Sequence, residues 1–145
     1  MSATMQLDIV SAEGLIFSGK VDRFFALAAN GEVGVLPHHA QFLTTLKPGE
    51  VRTVSGDETS YFYVSGGVLE IQPSVATILA DTAIRAKDLD EAAAKEAMQR
   101  AKDAMENAKS DLDVTRAQAE LAEAMAQLTM LGRFRDQLSK QGLMH

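Results

Sequence analysis

The chain has 145 residues, 20 acidic against 14 basic, with no cysteine, no tryptophan and a pI near 5.0. A net charge of -6 offers no basic face to a phosphate backbone, which excludes a nucleic-acid protein, and the lack of cysteine excludes disulfides, thiolate metal sites and a thiol nucleophile. No apolar run reaches the roughly 18 residues a membrane helix needs, and MSATMQLDIV lacks the basic-then-apolar layout of a signal peptide, so a soluble intracellular chain of one or two small domains is expected.

The composition divides after Arg85. All three prolines, both tyrosines, five of six phenylalanines and eight of ten glycines precede that point, whereas thirteen alanines fall between Ala86 and Ala126. Residues 1–85 are therefore expected to form a β domain and residues 86–145 an α-helical one.

In the first part, apolar and polar residues alternate over short runs bounded by turn residues, the period of strands with one buried face. Gln6–Ile9 is the first run. Gly31-Glu32-Val33-Gly34 reads as a turn. Val51–Val54 and Thr59–Ser65 flank the hairpin loop Ser55-Gly56-Asp57-Glu58, and the second run places Phe62 and Val64 on one face with Tyr61 and Tyr63 on the other. Gly66-Gly67 permits a change of direction before Val68–Gln72, and Pro73-Ser74 separates that strand from Val75–Ala80. Turns at such spacing predict an antiparallel β-sandwich or flattened barrel.

The second part reads as two helices. Asp88 and Glu91 stand in the positions of a capping box, predicting a helix from Leu89 to Ala108 with Ala94, Ala97, Ala101, Ala104 and Ala108 along one stripe. Ser110 suits a second N-cap, after which Val114, Ala117, Leu121, Ala124, Leu128 and Leu131 repeat at helical spacing, with Gly132 as a C-cap. The short connection predicts an antiparallel hairpin whose small side chains bring the axes close. Met98, Met105 and Met125 flank these seams and offer an apolar edge to the β part, to a partner chain or to solvent.

Chemistry is sparse. Adjacent His38 and His39 point to different sides if extended and no third histidine is near in sequence, so no metal site is expected. No Gly-Lys-Ser/Thr follows a glycine pair, no Gly-x-Ser-x-Gly elbow occurs, and no carboxylate pair stands in an apolar run, so a binding or mechanical role is the better expectation. The junction from Ala80 to Asp90 reads either as a polar, helix-capping link or as an anion-binding edge built from Arg85, Lys87 and the helix N-terminus.

Several segments together, LDIVSAEGLIFSG (7–19), GEVGVLPHHA (31–40), LKPGEVR (46–52), YVSGGVLEIQP (63–73) and LADTAIRAKDLDEA (79–92), closely resemble the epsilon subunits of bacterial F-type ATP synthases. The resemblance covers nearly the whole chain and implies an N-terminal β-sandwich followed by a helical hairpin. It implies a non-catalytic subunit of the central rotor at the cytoplasmic face of the bacterial inner membrane, coupling proton-driven rotation to ATP synthesis. Gamma, the c-ring and the alpha and beta subunits are the implied partners.

By motif match, Gly31, Glu32 and Val33 fall where the family meets the c-ring, and His39 at a gamma contact; the bare sequence makes Glu32 an ordinary turn carboxylate. The hairpin resembles a switch that opposes ATP hydrolysis when extended. Arg116, Arg133, Arg135 and Lys140 are then candidates to meet acidic segments of the catalytic subunits, or else solvated surface. Some members bind ATP through Ile/Leu-Asp-x-x-Arg-Ala. Here Leu89-Asp90-Glu91-Ala92-Ala93-Ala94 carries Ala93 in place of the arginine, so Arg85, Asp90 and Ala94 form at most a degenerate nucleotide site, and no cofactor is expected. The alternative is a free-standing β-sandwich that binds a ligand through exposed Tyr61 and Tyr63, with the hairpin as a dimerisation element.

Overall fold

A computed structural model describes residues 3–140, so the last part of the 86–145 segment, including His145, lies outside the described residues. Nine strands come first: β1 (Met5–Ser11), β2 (Gly14–Val21), β3 (Arg23–Ala28), β4 (Gly31–Val35), β5 (Phe42–Ser55), β6 (Glu58–Val64), β7 (Gly67–Ile71), β8 (Val75–Ala80) and β9 (Ala83–Arg85). A 3-10 turn over Ala86–Asp88 leads to α1 (Glu91–Glu106) and α2 (Asp111–Lys140). The predicted order of a β part followed by a two-helix hairpin is what the chain adopts.

The strands make one sheet that does not close, ordered β2-β1-β8-β7-β5-β3-β4, with β6 on β5 and β9 on β6. The 14-residue β5 folds this sheet into two layers: Phe42–Leu46 pairs with β7, whereas Gly49–Ser55 pairs with β6. Pro48 sits between the two stretches, where a residue without an N–H costs no ladder hydrogen bond. The sequence pattern predicts only Val51–Val54 of this strand, and the stretch before Pro48 extends it.

Alternation in β1 buries Met5, Leu7 and Ile9, which meet Phe24, Ala26, Val51, Phe62, Val64, Leu69 and Ile78 between the layers. Phe17 and Phe62 close the gap edge to face, with ring centroids 5.5 Å apart. Pairing is antiparallel except between β1 and β8, which run parallel. Hairpin neighbours must be antiparallel, but these two are joined only through the six strands β2–β7. Gly31–Gly34 is a strand rather than the expected turn. The reversal occurs at Ala29-Asn30, Gly31 takes φ +126°, and β4 then pairs with β3.

The hairpin is closed by its alanine seam: Ala94 and Ala101 of α1 and Ala117 and Ala124 of α2 are all buried, although Ala104 is exposed. Three details differ from expectation. Asp90, not Asp88, caps α1, accepting a hydrogen bond from the Ala93 N–H at 3.1 Å, because the 3-10 turn takes up Asp88. Ser110 caps α2 as predicted, accepting from the Asp113 N–H at 3.1 Å. Gly132 does not end α2, which runs on to Lys140. A mid-helix glycine costs about 1 kcal/mol, and the apolar side chains on either side of it offset this by packing onto the sheet.

Candidate functional site

The hairpin meets the sandwich through one face of α2. Met130 is buried there with Tyr61, Tyr63 and Ala86, and Ala126, Phe134, Ile84 and Leu89 pack around them. Phe134 lies against Tyr61 with ring centroids 6.1 Å apart. Tyr61 and Tyr63 are thus buried, where the ligand-binding alternative needed them exposed. They look outward from β6 as the alternation predicts, but α2 covers them. Met98, Met105 and Met125 do not make this contact; Met125 remains exposed on the far side.

Charge frames the apolar patch. Arg133 reaches Glu50 of β5 at 3.2 Å, and Glu50 also holds Arg52 at 3.5 Å. Across the hairpin Arg135 pairs with Glu91, which also takes Lys95 at 3.2 Å. Hydrogen bonds from Arg135, then from Lys95, hold the Glu91 carboxyl at about 2, below its ordinary 4.5. A lowered carboxyl stabilises the fold above its ordinary value and loses that contribution as pH falls toward the folded one. Acid unfolding between pH 4.5 and 2 is therefore expected to be less steep in Glu91→Gln than in the native chain; equal slopes would show that the pair contributes nothing. Glu91 is half-buried at the surface and still reached by solvent, so the effect is modest.

Arg133 and Arg135, candidates for contact with other subunits, are thus both engaged within the chain, while Arg116 is exposed on α2. Arg85 donates to the Ile16 carbonyl oxygen and lies 5.7 Å from the Phe62 ring centroid, tying β9 to both layers. Asp90 is occupied as a helix cap and Ala94 is buried in the hairpin seam. A cleft of about 280 Å³ is lined by Arg85 and Lys87 but by neither Asp90 nor Ala94.

Glu32 is exposed at the β3–β4 end, between half-buried Gly31 and Val33. His39 lies in the turn before β5, its ring 5.1 Å from that of Phe42, and the preceding His38 has φ +68°. Among the described residues, no group of three or more histidines and carboxylates could hold a metal ion. No described helix is long and apolar enough to cross a membrane.

One surface was missed from sequence. Leu15, Val10, Leu79 and Val68 stand opposite one another across β2, β1, β8 and β7, on the outer face of the first layer. On β5 Thr45 stands opposite Val68 and ends the row, with Leu43 two residues along on the same face; Leu15, Leu43 and Leu79 are all more than half exposed. An uninterrupted apolar row on an exterior face marks a contact surface.

A sandwich bearing an outer apolar row and carrying a docked helical hairpin defines a two-part assembly subunit. Residues 4–86 match the description "ATP synthase, Delta/Epsilon chain, beta-sandwich domain", and residues 87–132 match "ATP synthase, Delta/Epsilon chain, long alpha-helix domain". The chain is 66% identical over 143 residues to an ATP synthase epsilon chain of Hydrogenovibrio crunogenus, covering 99% of each. It is 60% identical over 104 residues to an ATP synthase epsilon chain of Thioalkalivibrio sulfidiphilus, covering 70% of this chain and 73% of the relative. A chain in the Euglena gracilis mitochondrial ATP synthase structure (OSCP/F1/c-ring, rotational state 1) has the same fold, with TM-score 0.80 at 18% identity over 89% of this chain and 82% of that one. The chain belongs to the ATP synthase delta/epsilon chain family.

Proposed function

We propose that the chain is a non-catalytic rotor subunit of a proton-translocating F-type ATP synthase, coupling rotation to ATP synthesis, with its hairpin acting as a conformational brake on ATP hydrolysis. The observation that carries this is the end-to-end match to an epsilon chain, spanning sandwich and hairpin alike. In this reading the outer row centred on Leu79 and, separately, His39 meet gamma. Gly31, Glu32 and Val33 face the c-ring, at the cytoplasmic side of the inner membrane. Arg116, Arg133 and Arg135 meet alpha and beta when the hairpin is extended. The small docked patch supports a reversible brake, since a contact of a few apolar side chains and one ion pair is readily exchanged for another surface. Nucleotide does not regulate the brake in this reading, because Ala93 replaces the phosphate-binding arginine.

An affinity-tagged chain isolated from native membranes tests this. It is expected to bring gamma and the catalytic subunits with it, whereas Leu79→Asp, at an exposed position that leaves the core intact, is expected to lose most of them. A native chain that emerges alone would overturn the rotor assignment. Full retention by Leu79→Asp would remove the outer row as the gamma contact.

A further inference from the structure

Glu50 and Tyr63 stand directly opposite each other on β5 and β6, beneath α2. Tyr63 is only 1% exposed and its hydroxyl has no hydrogen-bond partner; Glu50 Oε1 is likewise buried and unpartnered, although Oε2 holds Arg133 and Arg52. Two stranded oxygens on facing residues are unusual, since buried polar groups are nearly always satisfied. Both lie in the seam between hairpin and sandwich, not in the sandwich core, and α2 is the element that covers them.

We propose that the Tyr63 hydroxyl is a built-in release element that weakens docking of α2, so that the hairpin leaves the sandwich more readily than its apolar contacts alone would allow. Docked, the hydroxyl is buried with the cluster that Tyr63 shares with Met130 and Ala86, and has gained no partner. Released, it is solvated again. The unmet hydrogen bond therefore acts against the docked state alone. Burial, with the Glu123 carboxylate of α2 nearby, also pushes this phenol well above its ordinary range, so the docked hydroxyl stays neutral. Tyr63→Phe keeps the ring that packs on α2 and removes only the stranded oxygen.

This rests on the hairpin being able to undock, and the test separates the two claims. The chain has no cysteine, so a single thiol introduced at a buried site reports opening by its rate of chemical labelling. Met130→Cys reports lifting of α2, and Ala76→Cys, in the sandwich core, reports global unfolding. The thiol at 130 is expected to react faster than that at 76, and adding Tyr63→Phe is expected to slow labelling at 130 by about tenfold or more. Faster labelling at 130 than at 76 with no slowing by Tyr63→Phe would overturn the release element and leave hairpin undocking standing. Equal rates at 130 and 76 would show that the hairpin never opens alone, and both claims would fall.

Discussion

Truncation after Asp88 in the assembled synthase is expected to raise ATP hydrolysis by about fivefold or more, the lower range of coupling between two conformational states, with the other subunits retained. Retention follows from the division of the apolar interior. The core between the sheet layers draws on β-strand residues alone, and the hairpin belongs to a second, smaller cluster with Tyr61 and Tyr63. Cutting after Asp88 keeps Arg85 and its bond to β2, so the sandwich edge remains tied, and the outer row from Leu15 to Val68 lies on a face the hairpin does not touch. The truncated sandwich would expose Tyr61, Tyr63 and Met130's vacated pocket, so hydrolysis is to be measured in the complex and not on the isolated fragment. Unchanged hydrolysis in a fully assembled truncated enzyme would eliminate the braking role.

Gly67→Ala is expected to destabilise the chain by more than about 3 kcal/mol, a large fraction of the 5–15 kcal/mol that holds a typical domain together. Gly67 has φ +142°, and a Cβ there would stand 2.0 Å from the Leu79 carbonyl oxygen and 2.8 Å from the Ala80 Cα. Both obstacles are backbone, and Gly67 pairs with Ala80 in the β7–β8 ladder and with Leu46 of β5, so relief requires parting strands at the centre of the sheet. Gly56→Ala is the control: φ is +61° with open space around it, and a cost of about 1 kcal/mol is expected. Thermal unfolding of the two variants should rank them in that order, and a Gly67→Ala melt matching the control would refute the steric account.

The alternation that defines β1, β6, β7 and β8 and the alanine spacing of the hairpin seam were both legible in the sequence, because each depends on a period within one element. What could not be read depends on which elements meet. The corner at Pro48 was invisible because only the switch of partner from β7 to β6 makes a proline harmless there. The docking face of α2 was missed for a related reason. Ala126, Met130 and Phe134 form a stripe beside the hairpin seam, so a search for one apolar face stopped at Leu128 and Leu131. Phe134 was the available signal, as the sole phenylalanine after Arg85. Among the candidate residues, the role of Asp90 shifted with the helix start by two positions, and Arg133 and Arg135 were read as outward-facing because Glu50 and Glu91 are distant from them in sequence.

The continuation of α2 through Gly132 has a consequence for reach. Thirty unbroken helical residues at about 1.5 Å each make a rod some 45 Å long, and the 16 residues of α1 add roughly 24 Å if the two swing into line. Were the helix to stop at Gly132, as its sequence suggested, Arg133 and Arg135 would trail from the rod's end on a loose tether. Instead they are carried on its rigid shaft, at fixed azimuth, so that a surface far from the sandwich would feel the angle of the rotor as well as its presence.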